Sequence, residues 1–498
     1  MGRVNLIARI RTCPCWLHRI VVALLLLIVR PGCTAESDYY RLVTYPLPDE
    51  LKLEVSGIAA LPDGRMAVAI RKGEIWFIDG YLEKDPSRIR FHRFASGLHE
   101  PLGLSWHQGA LYTVQRTELT RLRDLDADDI ADEYWTVANQ WGVSGNYHEY
   151  AYGPVFDPAG NAWVTLNCTI GDKVTPTDRW RGWSLKIQSD GTVQPISGGF
   201  RSPSGIGLNA AGDVFATDQQ GNWFPTCPLV HIQRGAFHGH PNALEYSGLP
   251  GATIHIKDTL PQDLTVAQAA HRVPQYRLPA VWMPYRKMGM SSTDILCDTT
   301  EGKFGPFANQ LFIGEFTMSM IVRVCLEKVH GQYQGACFRF REGFQSAVLR
   351  MGWAPDHSMM IGQSNRGWNS LGTRSYGLQR LVWTGKVPFE VKAMKAKHNG
   401  FELEFTQPVS AKDAAQLSSY QLSSYTYHYH ATYGSDEIDT HSLQVKRARV
   451  SQDGLRVTLT VEGLREGYVH ELKLAGVRSQ DGRPLLHDLA CYTLNRIP

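Results

Sequence analysis

The chain has 498 residues, enough for two or three domains around a large buried core. Hydrophobic residues make up 43%, as in ordinary globular chains, while 46 glycines, 26 prolines, 18 Phe, 13 Trp and 21 Tyr predict many strands and turns. A formal charge of +3 is too small and too scattered to favour a nucleic-acid partner.

The first element is a leader. Arg3, Arg9, Arg11 and Arg19 precede the apolar run 20–29, which is too short to span a bilayer but matches the core of an export signal. A short buried helix is the alternative, yet such helices rarely open a chain behind so many arginines. Cleavage after Ala35 gives a leader over 1–35 and an exported protein, periplasmic or secreted. A lipid anchor on Cys33 is the rival, poorly matched by Arg30-Pro31-Gly32. No later stretch is long and apolar enough for a membrane helix. Cleavage leaves Cys168, Cys227, Cys297, Cys325, Cys337 and Cys491, and an oxidising compartment permits disulfides among them.

A loose repeat follows: a short apolar strand, a Gly-bearing turn, a second apolar strand, then a third. Ser56-Gly57-Ile58-Ala-Ala-Leu-Pro-Asp-Gly64-Arg-Met-Ala-Val-Ala is its clearest copy. Others begin at Leu102, Gly153, Gly205, Ser292 and Val348, giving six units. A blade cannot bury both faces alone but a ring of blades can, so residues 39–385 are expected to form a six-bladed β-propeller.

Within the second unit, Asp124-Leu-Asp126-Ala-Asp128-Asp129-Ile-Ala-Asp132 places oxygen ligands at alternate positions, the logic of a loop that wraps calcium. Asp124, Asp126, Asp128 and Asp132 are the expected ligands, in a structural role. Asp129 stands where such loops carry a glycine, and a solvated acidic turn is the alternative. Asn146-Tyr147-His148-Glu149-Tyr150 then precedes the strand at Gly153. His148 is a candidate proton acceptor, because imidazole titrates near neutrality. His238 and His240 compete for that role.

Residues 246–288, rich in Pro, His and polar residues with a short helix near Thr265–Ala270, read as an insertion over one face. Cys325 and Cys337 lie equidistant from Gly331 in a strand–turn–strand run. They can therefore face each other as a disulfide, or remain buried thiols. After Pro388 the alternation in Phe401-Glu-Leu-Glu-Phe, Leu455-Arg-Val-Thr-Leu-Thr-Val and His470-Glu-Leu-Lys-Leu predicts a small immunoglobulin-like β-sandwich over 388–498. Tyr425, Tyr427, Tyr429 and Tyr433 suit a packed strand face better than a sugar-stacking surface.

Three segments carry a family resemblance: Gly199-Phe-Arg201-Ser-Pro203-Ser-Gly205, Thr217-Asp218-Gln219-Gln220-Gly221-Asn222 and Gly235-Ala-Phe-His238-Gly-His240-Pro241. The chain resembles the glucose and sorbosone dehydrogenases, six-bladed propellers that use pyrroloquinoline quinone (PQQ) and calcium. Gly302-Lys-Phe-Gly-Pro-Phe, Arg341-Glu-Gly-Phe-Gln-Ser and Asn365-Arg-Gly-Trp make it look closer to the secreted dehydrogenase-like propellers of planctomycetes. The resemblance implies that Arg201 holds a cofactor carboxylate, with Arg350 and Lys287 as further contacts. It also implies that Gln220 and Gly221 offer carbonyls to a bridging calcium, and that His148 is the base. Ser202 stands where the family has an amide, and Val348 where it has a second arginine. The implied activity is oxidation of a carbohydrate hydroxyl or aldehyde, with an external electron acceptor. A calcium-dependent lactonase or polysaccharide lyase, and a non-catalytic propeller binding carbohydrate or protein, are the other readings the fold admits.

Overall fold

A computed structural model describes residues 35–171 and 178–498. The leader expected over 1–35, with Cys33, lies outside the described residues apart from Ala35. The described chain is all-β, with helices confined to short segments such as Val266–Arg272 and Ala411–Ala414.

Each repeat unit opens on an inner strand: Val55–Ala60, Leu104–His107, Ala151–Phe156, Gly205–Leu208, Ser292–Cys297 and Val348–Trp353. These neighbour one another in a closed circle, and the chain zigzags outward from each. The first hairpin turns recur for a local reason. Asp63, Asp157 and Asn209 accept backbone N–H groups two residues on, and Gly64, Gly160 and Gly212 follow with φ of 89°, 82° and 83°. At the axis neighbouring inner strands touch backbone to backbone. A Cβ on Gly57 would sit 2.6 Å from the Gly103 carbonyl carbon, so only glycine fits. The ring closes with Tyr40–Thr44, which pairs with Tyr376–Trp383 as the outermost strand of the last blade.

Five sheets are free-standing four-stranded blades, not the six expected. The strands that begin at Ser292 do not end as a blade. Their outermost member, Gln332–Arg341, pairs onward with Leu489–Leu494 and so opens an eleven-stranded sheet that runs through the C-terminal part. The edge is covered because Ala336 and Phe338 belong to the C-terminal core, alongside Phe401, Leu403, Leu459 and Leu472. The long strand Ile438–Val450 pairs first with Gln421–Thr426 and then with Arg456–Glu462, which folds this sheet into two layers. Residues 388–498 thus share a sheet and a core with the ring instead of standing apart. Arg323, fully buried between the Phe307 and Phe338 rings, donates to the carbonyls of Val391 and Lys392 and fastens the start of this part to the ring.

The insertion also serves this junction. The two-residue strand Leu264–Thr265 pairs with His428–Tyr429, and Val266–Arg272 is capped reciprocally by Thr265 and Gln268. It seats buried Tyr427 and Tyr429 and does not cover the end of the ring that carries the cavity described below, where only Tyr285 of residues 246–288 contributes. Tyr425 is buried too, as a packed face requires, whereas Tyr433 is exposed.

The expected Cys325–Cys337 pair is displaced by one residue. His330 and Gly331 both take positive φ as a two-residue turn, so Cys325 faces Ala336 and Cys337 faces Val324. All six described cysteines are free and buried.

His487 joins the two ends of the sequence, with Nε2 3.0 Å from Glu36 and Nδ1 2.5 Å from Glu390. Burial opposes its charge, but Glu390 and Glu36 prevail and push it up to about 9. The folded state therefore holds a proton that the unfolded chain releases near 6.5. The stability this contributes is complete below 6.5 and lost as pH rises through about 9. Denaturant midpoints should fall between pH 6.5 and 9.5 by the equivalent of roughly 3 kcal/mol, and His487→Gln should remove that slope.

Candidate functional site

A cavity of about 400 Å³ opens at one end of the ring. Antiparallel pairing explains its lining. Val55 faces Ile70, Ala151 faces Leu166, Gly205 faces Thr217 and Val348 faces Gln363. The entry to each inner strand and the exit from its partner therefore lie at the same end. Entries bring Tyr152, Ser204 and Arg350 to the cavity; exits bring Arg71, Asn167, Gln219 and Arg366.

His148, Arg201, Ser202, Gln220 and Arg350 all line this cavity, so the structure brings together five of the expected residues. Asp218 shapes the turn beneath Arg201. Its carboxylate accepts the backbone N–H groups of Arg201, Ser202 and Gln219 at 2.8, 2.7 and 2.7 Å. Burial nonetheless pushes Asp218 up to about 6, leaving it ionised at neutral pH. The Arg201 guanidinium packs on Gly221 and meets Ser202 Oγ at 3.4 Å; its buried Nε has no partner. Arg350 donates only to the carbonyls of Ser56, Leu349 and Leu102. Among the described residues neither arginine lies within ion-pair distance of a carboxylate, although the buried Asp218 and Asp294 interact with Arg201 and Arg350 electrostatically, so both present positive charge to whatever enters.

His148 sits at the mouth. Partial burial, then repulsion by Arg201 and Arg116, holds its imidazole below the ordinary 6.5, hence neutral and able to accept a proton. Beside it Tyr150 lies between the Arg71 and Arg116 guanidiniums, 4.8 and 4.4 Å from its ring centroid, and both arginines bind Glu100.

Solved propellers resemble this chain. They include the PQQ-bound aldose sugar dehydrogenase of Streptomyces coelicolor, at 16% identity over 69% of this chain and 98% of that one, TM-score 0.47. The soluble aldose sugar dehydrogenase of Escherichia coli in its apo form matches at 16% over 69% and 99%, TM-score 0.48. A luciferin-regenerating enzyme matches at 9% over 69% and 96%, TM-score 0.45. At such identities the likeness concerns the course of the chain and not its chemistry. No family model matches the chain, and no curated protein does.

The remaining expected residues lie elsewhere. His238 and His240 do not line the cavity, and burial pushes each down to about 3. Lys287 is held between Glu437 and Glu471 at 2.7 and 2.6 Å, a junction role that leaves no free charge for a cofactor. Gly221 lies behind the lining, and its carbonyl accepts the N–H of Gly434 at 3.0 Å. That contact belongs to a loop from the C-terminal part. Ser435 N–H also bonds Pro225, Asn222 bonds Ala431, and Tyr433 is carried into the cavity, its ring 5.4 Å from the Arg201 guanidinium carbon.

The acidic loop lies at an outer hairpin, between Leu119–Arg123 and Glu133–Ala138. Carboxylate oxygens of Asp124, Asp126 and Asp128 come within 4.8 Å of one another. Asp132 instead accepts Leu125 N–H, and Asp129, in the glycine position with φ of 66°, pairs with Arg65. Repulsion from Asp128 and then Asp132 raises the Asp126 carboxyl. Asp126→Asn should therefore raise the melting temperature slightly in chelator at neutral pH, where the wild-type charges repel. If the loop takes calcium, added calcium should raise the wild-type melting temperature and leave the variant's unmoved.

Arg71, Arg366 and Trp368 are not among the residues expected from the sequence. The positions just after the second strand of each repeat, which ends at Ile70 in one unit and Ser364 in another, are the available signal for the two arginines. Tyr433, weighed with its neighbours as a packed face or a sugar-stacking surface, is exposed in the cavity, while Tyr425, Tyr427 and Tyr429 are buried.

Proposed function

We propose that the chain is a quinone-dependent carbohydrate dehydrogenase whose reaction takes place at the mouth of this cavity. The observation that carries the reading is the convergence of a neutral imidazole, His148, with the guanidiniums of Arg201 and Arg350, neither of which is in an ion pair with a described carboxylate. A carboxylated quinone such as PQQ fits those two arginines, both of which line the cavity. When bound, the quinone supplies the two-electron acceptor for a sugar hydroxyl. A ring nitrogen of His148 takes the hydroxyl proton while the carbon-bound hydrogen leaves as hydride, so both electrons pass to the acceptor and the sugar gains a carbonyl. Calcium fits less well. Among the described lining residues Glu54 is the one carboxylate and is paired with Arg366, and the Gly221 carbonyl is already committed, which leaves few oxygen ligands for a cation there.

The test is purified protein incubated with PQQ, with and without calcium, then assayed for retained cofactor and for dye reduction with a panel of aldoses. Retention with sugar-dependent reduction supports the proposal; a protein that retains no quinone sinks it. In loaded protein, His148→Ala should lower the rate by about 100-fold or more. The acid limb of the wild-type profile should fall below pH 6.5, because the base must be neutral. A second reading, carbohydrate binding without reaction, is favoured by the exposed Tyr147, Trp368 and Tyr433 rings at the rim. It predicts sugar affinity with no dye reduction. Export by the leader over 1–35 and an immunoglobulin-like topology for 388–498 belong to the same proposal.

A further inference from the structure

We infer that the rim of the cavity selects a carbohydrate acid, whose carboxylate is received by Arg71 and Arg366. The inference rests on the reading above only in placing a sugar at the mouth. Arg71 commits Nε to Glu100 and Nη2 to the hydroxyls of Tyr147 and Tyr150, which leaves Nη1 unengaged among the described residues. Arg366 commits only Nη1, to Glu54 at 2.8 Å, and keeps its other donors. Both side chains line the cavity, and the backbone next to Arg366 approaches Arg71. A Cβ on Gly367, the next residue after Arg366, would lie 3.7 Å from Arg71 Nη1 and 3.2 Å from the Tyr147 hydroxyl.

Among the described residues, charge at this rim is unbalanced apart from the arginines deeper in the cavity: Arg71, Arg116 and Arg366 pair there only with Glu54 and Glu100. Two guanidiniums share Glu100, so one positive charge is uncompensated where water is partly excluded, and an entering carboxylate supplies the missing partner. A neutral sugar would leave Arg71 Nη1 desolvated without a charge to meet it. Trp368 and Tyr147, 64% and 55% exposed, stand beside these groups and offer flat faces to the CH surface of a pyranose ring. Guanidinium and aromatic face together describe a site for a uronic-acid ring, either as a free sugar or as the end residue of an acidic polysaccharide.

The test uses the whole protein and titrates D-galacturonate, its trimer and D-galactose by calorimetry at low salt without quinone. Galacturonate should bind at least about tenfold more tightly than galactose, and added salt should erode the preference. In Arg366→Gln the ratio should fall towards one. If that variant does not fold, the wild-type salt dependence carries the test. Equal affinities for acid and neutral sugar, or a preference untouched by salt and by the substitution, overturn the inference. Tighter binding of the trimer identifies a polysaccharide end as the source, and equal binding the free acid. Dye reduction in quinone-loaded protein separates the two readings. No reduction with any sugar but an intact preference sinks the dehydrogenase reading alone, whereas reduction with no acid preference sinks this one alone.

Discussion

Arg201→Ala is expected to weaken PQQ binding by about 100-fold or more, measured as cofactor retained after gel filtration and by equilibrium titration. The Arg201 side chain is part-buried, packs on Gly221 and lies within ion-pair distance of no described carboxylate, so an anionic ligand gains a charge-assisted contact at a reduced desolvation cost. Truncation removes this contact but spares the turn, because Asp218 holds the backbone N–H of residue 201 and not its side chain. A second readout distinguishes lost charge from lost structure. Arg201 is the leading electrostatic cause, after burial, of the low His148 pKa, so histidine NMR should show His148 titrating higher in the variant. An unchanged affinity together with an unchanged His148 titration would remove Arg201 from the site.

Gly205→Val should cost about 3 kcal/mol or more and cut soluble yield severely. A Cβ at this position would overlap the Thr293 carbonyl oxygen and the Thr217 hydroxyl, which are themselves joined by a 2.6 Å hydrogen bond between neighbouring blades. The obstacle is mostly backbone, which cannot rotate out of the way as a side chain would. Gly248→Ala is the control, since it has open space and no positive φ, and should shift stability by less than about 0.5 kcal/mol. A melting temperature unmoved by Gly205→Val would show that the inner strands tolerate greater separation at the axis.

The inner strands were legible because their hairpins carry chemistry that sequence displays directly, an Asx residue followed by a glycine forced to positive φ. His148, Arg201 and Arg350, the last two named through the family resemblance, line the cavity because they lie at or near the entries to inner strands. Arg71 and Arg366 occupy the matching exits, which look like ordinary polar turn residues until the register is known. Lys287 misled for the opposite reason. The resemblance makes it a cofactor contact, but its carboxylate partners, Glu437 and Glu471, come from far along the chain and are invisible to a local motif. The Cys325–Cys337 pairing failed by one residue, because symmetry about Gly331 differs from symmetry about the His330–Gly331 pair that makes the turn. The sixth free-standing blade was lost to a contact no local pattern encodes, the pairing of Gln332–Arg341 with Leu489–Leu494.

Tyr40–Thr44, made at the start, pairs with Tyr376–Trp383, and Gln379 reaches back to Thr44 across 335 positions of sequence. The C-terminal part repeats the pattern at the other junction, so the first seam waits for the strand that ends at Trp383 and the second for the one that ends at Leu494. Until then the early blades carry a bare edge and half-covered apolar faces, the species most exposed to association with other unfinished copies. Loop closure over such lengths also slows folding. The yield of active protein is therefore governed by how long the nascent chain is kept apart from its neighbours, and slower synthesis or a holding chaperone should raise it more than any stabilising substitution in the finished ring.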